Sequence, residues 1–196
     1  MLLALLRILA TINTLVLRVG RQLAWIALAL MVLVILTQVF FRYVLNNALA
    51  WPDEAARFLM LWMTGLVAPS AFRWGGFVSI ETLPSMLPRV PALILTLGFF
   101  ICSMMVLWFG LRLGYDHTMG FGGNFNSSSL RIPLDLVGLE TVRVKLRYMF
   151  GSLLVGVVLL SLVNVELILR SVVSLLRPDA ELPDDDRRFG WIEGAS

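Results

Sequence analysis

The sequence predicts an all-α integral membrane protein with four transmembrane helices and an amino-terminal amphipathic interfacial helix. Three observations carry this reading. Hydrophobic residues make up 59% of the 196 residues and charged residues only 15%, against about 45–50% and about 25% in soluble domains. Such a chain has too few charges to dress a water-facing surface of its size. Four apolar stretches, at about 23–41, 52–72, 92–113 and 148–169, each supply the ~20 helical residues that cross ~30 Å of hydrocarbon. They do not alternate with period two, which argues against a β-barrel, and a helix satisfies its own backbone polar groups in lipid.

The amino-terminal residues differ from the spans that follow. Arg7, Thr11, Thr14, Arg18 and Arg21 recur at intervals of four, three, four and three. At 100° per residue they form one polar stripe in a helix otherwise made of Leu, Ile and Val. That suits a helix at the membrane surface, or an extended first helix, with Arg heads reaching toward lipid phosphates. A cleaved signal peptide fits less well, because Arg18 and Arg21 follow the apolar part and no small-residue cleavage site precedes them.

The link between the first two spans is short. Asn46-Asn47 permits a turn, and Pro52 suits the first helical position, where its missing N–H is not needed. Asp53 and Glu54 then occupy the first turn, where the helix dipole favours negative charge. Tyr43 and Trp51 are expected as interfacial anchors. In the second span Pro69 cannot donate to the Gly65 carbonyl, so a kink is expected. Arg73-Trp74-Gly75-Gly76 ends that helix, with Arg73 and Trp74 at the head-group level.

Residues 77–91 contain Pro84, Pro88 and Pro91 and read as a short surface helix and a turn. The third span closes with a Gly110-xxx-Gly114 pair. The fourth contains Ser152-xxx-Gly156, and both spacings permit close helix approach. Between them, residues 114–147 read as an irregular loop. Its end, with Arg143, Lys145 and Arg147, is expected to begin the fourth helix outside the membrane. Residues 1–176 thus form a four-span domain, and 177–196 a short, charged cytoplasmic tail. The balance of Lys and Arg leans toward cytoplasmic termini, on the side that retains positive loops.

The chemistry is sparse. Sixteen Lys and Arg give a net charge of only +3 and are dispersed along the chain, so no nucleic-acid-binding block is present. His117 is the only histidine and Cys102 the only cysteine. A bis-histidine haem, a zinc cluster and an internal disulfide are therefore not expected from one copy. No P-loop appears, and Ser127, Ser128 and Ser129 lack an evident base. The expectation is no enzyme, no cofactor, no metal and no catalytic residue. Glu166 is expected to face lipid head groups or to pair with Arg170, four residues later.

The polar features that remain gather near one membrane boundary. Gln38, Arg42 and Asn46 are spaced by four, as are Asp53 and Arg57, while Glu54 and Arg57 are three apart. A local Arg/acid network is expected there, pinning two helix ends, positioning a second membrane protein, or both.

Residues 38–76 read QVFFRYVLNNALAWPDEAARFLMLWMTGLVAPSAFRWGG. This stretch strongly resembles the small membrane subunit of tripartite ATP-independent periplasmic (TRAP) transporters, the dicarboxylate-type small permease family. The resemblance rests on Gln38, Phe41, Arg42, Tyr43, Asn46, Trp51, Glu54, Arg57, Phe58 and Trp62 in that order, and on the four-span plan. Ser128-Ser129-Leu130-Arg131-Ile132-Pro133 is similar to the loop before the family's last span, whereas the charged stretch 135–147 departs from its compact form.

The resemblance implies a non-catalytic scaffold in the bacterial inner membrane, crossing it several times. Its partners would be a large permease subunit, which carries the substrate and sodium sites, and a periplasmic solute-binding protein. The cargo would be an organic acid, drawn by a sodium gradient. Gln38, Arg42, Asn46, Trp51, Asp53, Glu54, Arg57 and Trp62 would serve structure or the partner interface. Two rival readings share the size and span count: a small subunit of a tripartite tricarboxylate transporter, and a membrane-anchor subunit of a redox complex.

Overall fold

The structure is a computed structural model that describes residues 2–75, 87–132 and 142–176. Four long helices dominate it: α1 (Leu2–Tyr43), α2 (Trp51–Arg73), α3 (Arg89–Met119) and α4 (Arg147–Leu176). All four are long and apolar enough to cross a membrane. Between α3 and α4 lie a 3-10 turn (Phe121–Asn124) and a small antiparallel hairpin of β1 (Asn126–Ile132) and β2 (Val142–Lys145).

The helices run up, down, up and down. Gly20 of α1 meets Leu66 of α2, while Arg73 at the end of α2 reaches back to Ala10 and Thr14. On α4, Tyr148, Ser152 and Glu166 meet Trp62, Gly65 and Arg73 in turn, so α2 and α4 run parallel. Gly114 and Gly110 of α3 meet Leu154 and Val157, and Phe100 meets Asn164, so α3 opposes α4. α1 packs chiefly on α2, and α3 chiefly on α4, which leaves α2 and α4 as the middle pair. The amino terminus and the end of α4 therefore share one end of the bundle. The α1–α2 link and the hairpin occupy the other.

Leu17, Phe72 and Val163 form the central apolar layer, with Phe100, Leu160 and Leu167 against it. All four helices contribute, and Phe72 meets Phe100 edge-on at 6.2 Å between ring centroids. Two backbones approach most closely where the sequence carries small residues. A Cβ on Gly65 would lie 2.7 Å from the Ser152 carbonyl oxygen, and one on Gly156 would lie 3.0 Å from Gly65 Cα. The Ser152-xxx-Gly156 pair thus packs on α2, and the Gly110-xxx-Gly114 pair on α4, as small residues allow. Outside these seams the helices present apolar side chains outward, as lipid-facing helices do.

α1 is a single helix of 42 residues. At 1.5 Å per residue it is about 63 Å long, roughly twice the hydrocarbon thickness. Its buried positions Leu6, Ala10, Asn13, Leu17, Gly20, Ala24 and Ala27 follow helical spacing along one face. The expected amphipathic amino-terminal helix is thus continuous with the first span.

α2 starts at Trp51, with Pro52, Asp53 and Glu54 in its first turn, and runs through Pro69 to Arg73. It closes at Gly75, whose φ of 72° lies in the left-handed region. α3 continues beyond the expected span end through Tyr115-Asp116-His117-Thr118 and stops at Gly120. Within it, His117 Nδ1 lies 2.8 Å from the Leu113 carbonyl, and its ring meets Phe150.

The loop expectation is corrected on one further point. Arg143 and Lys145 do not begin the fourth helix; they lie on β2, and α4 starts at Arg147. The physical reason is alternation. Val142-Arg143-Val144-Lys145 has period two, which suits a strand with one polar face. The readings of 77–86 as a surface helix and of 177–196 as a tail fall outside the described residues.

Candidate functional sites at the two ends of the bundle

At the end that holds the amino terminus, a cluster of polar side chains is sealed between α1, α2 and α4. Arg73 is 2% exposed and Glu166 is 0% exposed. Glu166 Oε1 accepts from Arg73 Nη2 at 2.8 Å and Nε at 3.2 Å. The same oxygen accepts from Arg170 Nη2 at 2.7 Å and Nε at 2.9 Å. Its other oxygen accepts from Asn13 Nδ2 at 2.8 Å. Arg73 also donates to Thr14 Oγ1 at 2.7 Å and to the Ala10 carbonyl at 3.2 Å.

The geometry follows from the helix faces. Ala10, Asn13 and Thr14 occupy adjacent turns of α1, while Glu166 and Arg170 lie four apart on α4. A guanidinium offers five donors in a fixed fork, and here α1 and α4 supply its acceptors. Burying such charges is costly unless they are paired and hydrogen-bonded, and both conditions are met. The Glu166–Arg170 pair expected from spacing is present. Arg73 at the end of α2 and Glu166 on α4 are both buried between helices and not on the outer face of the bundle. Beside them Arg21 lies 4.8 Å from the Trp74 ring and within 3.5 Å of Ser70 Oγ.

The opposite end is organised by Glu54 of α2. Its Oε2 accepts from the backbone N–H of Ser129 at 2.7 Å and of Leu130 at 3.0 Å, and from the Ser129 hydroxyl. Pairing between β1 and β2 shifts register between Asn126 and Arg131. Such an irregularity takes N–H groups out of the ladder, and they must find acceptors elsewhere. The Glu54 carboxylate supplies them, and Ser127 Oγ accepts from Leu130 N–H at 3.0 Å. The helix thereby holds the hairpin through charge-assisted bonds to main chain.

The other residues singled out near this end are dispersed. Gln38 is half-buried on α1, and Arg42 is exposed, 5.9 Å from the Tyr43 ring. Asn46 lies beyond the end of α1 with φ 49°, a turn conformation that asparagine tolerates. Trp51 and Asp53 are exposed at the start of α2, and Arg57 is exposed one turn later. Trp62 Nε1 donates to the Tyr148 carbonyl at 3.1 Å, tying α2 to the first turn of α4. Among the described residues, Arg42, Asp53 and Arg57 are not joined to one another by an ion pair. Glu54 turns to the hairpin instead.

Sequence reasoning did not connect Arg73 with Glu166. A polar group inside each of three apolar segments was the available signal, but no periodicity links positions so far apart in the chain. Nor does spacing reveal that Glu54 would meet β1. Among the described residues, no three His, Cys, Asp or Glu side chains gather where they could hold a metal ion. Both clusters join and orient helices; neither pairs a nucleophile with a base.

Comparison with known proteins bears on this architecture. No curated protein and no solved structure gives a significant match. A family profile described as "Tripartite ATP-independent periplasmic transporters, DctQ component" matches residues 31–174, which takes in the last part of α1, all of α2, α3 and the hairpin, and nearly all of α4. With four membrane-length helices and internal clusters devoted to helix packing, the chain belongs to the DctQ component family of tripartite ATP-independent periplasmic transporters, whose members are non-catalytic small permease subunits.

Proposed function

We propose that this chain scaffolds the large transport subunit of a sodium-coupled, binding-protein-dependent secondary transporter for organic acids, and helps dock the periplasmic binding protein. The observation that carries the reading is family membership over residues 31–174. The arrangement of the helices supports it. The most apolar 18-residue stretch of α3 contains no buried residue, and that of α1 is 11% buried, against 39% for α4. α1 and α3 thus flank the bundle with broad apolar faces that suit lipid and a larger membrane neighbour.

In this reading residues 1–176 form the membrane domain and 177–196 a charged cytoplasmic tail. Both termini are cytoplasmic, in a bacterial inner membrane. The hairpin end then faces the periplasm, where a soluble component arrives. Gln38, Arg42, Asn46, Trp51, Asp53, Glu54, Arg57 and Trp62 serve helix-end geometry or the partner interface around that end.

The test is reconstitution. The chain, co-expressed with the large permease subunit of its transporter, should co-purify as a defined complex. In proteoliposomes that complex should take up organic acid only with an inward sodium gradient and added binding protein. Replacing Arg42 or Glu54 should lower recovery of the complex or its uptake. Uptake by the large subunit alone at the full rate would overturn the scaffold role. Full recovery and uptake after both single replacements would remove the assignment of those two residues.

A further inference from the structure

The hairpin held by Glu54 carries charge that scaffolding does not use, and we propose that it is a docking face for an acidic surface on the soluble, substrate-capturing component. The inference rests on the reading above, that such a component visits this end of the bundle.

β2 places Arg143 and Lys145 two residues apart, hence on one face of the strand, and both are exposed. Val144 between them is half-buried. Arg131 of β1 is the register partner of Arg143, so two arginines occupy directly opposed positions of a two-stranded ladder. From residue 126 to residue 147 the sequence has four cations and two carboxylates, Asp135 and Glu140. Glu54, an acid that touches the hairpin, accepts from main-chain N–H groups and the Ser129 hydroxyl. Arg143 and Lys145 thus present exposed positive charge on β2, which an anionic partner would meet.

An aromatic pair adjoins it. Phe121 is 83% exposed and Phe125 is 53% exposed, with ring centroids 5.2 Å apart edge-on. The Phe125 carbonyl accepts from Leu146 N–H at 2.9 Å, directly after Lys145, so the rings and the basic strand are tied together. Aromatic and Arg side chains side by side are characteristic of protein interfaces. The clamp favours a protein over lipid as the occupant. Head-group attraction needs only positive charge near the surface, whereas hydrogen bonds that fix strand position pre-organise a face for a shaped partner.

The experiment uses the assembled complex in phosphatidylcholine nanodiscs, titrated with the purified solute-binding protein of the same transporter. R143E/K145E should weaken binding by about tenfold or more and flatten its salt dependence, because steering by exposed charge is screened. R143Q/K145Q, which adds no new charge, should weaken it by roughly threefold and carries the test where the reversal disturbs assembly. Unchanged affinity and salt response in variants that still co-purify with the large subunit would overturn the docking face and leave the scaffold reading standing. Failure of the wild-type chain to assemble with a large subunit would overturn the scaffold reading, and this inference with it. In nanodiscs containing phosphatidylglycerol, loss of retained anionic lipid by R143E/K145E with protein binding intact would reassign the face to lipid.

Discussion

A glutamate organises each end of the bundle, in opposite physical settings. Glu166 is sealed from solvent and balances two guanidiniums from two helices. Glu54 is half-buried and accepts from neutral main-chain and hydroxyl donors. Removing Glu166 would strand charge in the interior. Removing Glu54 would strand N–H groups that water at an exposed hairpin could still reach. Burial, more than hydrogen-bond number, separates an interaction that holds the bundle from one that positions a surface feature.

The largest expected effect tests the buried half of this contrast. Glu166→Gln should destabilise the bundle by about 3–5 kcal/mol, because Arg73 loses its counter-charge. Thermal unfolding in detergent would read this as a large fall in midpoint. Replacing Arg73 and Glu166 together with Met should cost less than Glu166→Gln alone, since the sealed Arg73 charge leaves with its partner and only the more exposed Arg170 loses a counter-charge. Equal or greater loss in the double variant would mean that net attraction, not avoided desolvation, governs the cluster.

A packing test comes next. Gly65→Ala should cost about 1–3 kcal/mol, because the new methyl meets a backbone carbonyl that cannot step aside. Gly98→Ala, where nothing lies within 4 Å, should be neutral or stabilise by about 0.5–1 kcal/mol. Similar unfolding midpoints for the two variants would show that the α2–α4 seam is looser than its geometry.

Glu54→Ala sharpens the other half of the contrast. It should release the hairpin at a local cost of about 1.5–3 kcal/mol while the bundle melts nearly as before. Hydrogen exchange should rise at Ser129 and Leu130 and stay low in α4. A matching rise in α4 would make Glu54 a bundle residue after all. The smallest effect is expected at Asn164, whose Nδ2 donates to the Phe100 carbonyl at 2.9 Å while its buried Oδ1 has no partner among the described residues. Asn164→Leu should change stability by only about 1 kcal/mol, since the orphaned acceptor disappears with the bond.

Particular residues show how far the chain could be read in advance. Pro52, Asp53 and Glu54 mark the start of α2 through rules that operate within one turn, and the Glu166–Arg170 pair is equally local. The small-residue pairs in α3 and α4 are legible as seams, but not which helix each would meet. Val142-Arg143-Val144-Lys145 alternates with period two, a strand signal legible in the sequence although it lies directly before the fourth span. The partners of Arg73 and Glu54 had no signal of this kind.

Composition and hydropathy alone determined that this protein lies in a membrane as four long helices, because solvation and backbone hydrogen bonding act residue by residue along the chain. Which polar side chains are sealed inside and which are left exposed was decided only by tertiary structure. Arg73 and Arg143 are the same residue type. One meets a buried carboxylate 93 residues away; the other stands exposed on a strand whose register partner is also arginine. Charge interacts through space and through the dielectric around it, and neither distance nor burial is a property of sequence spacing.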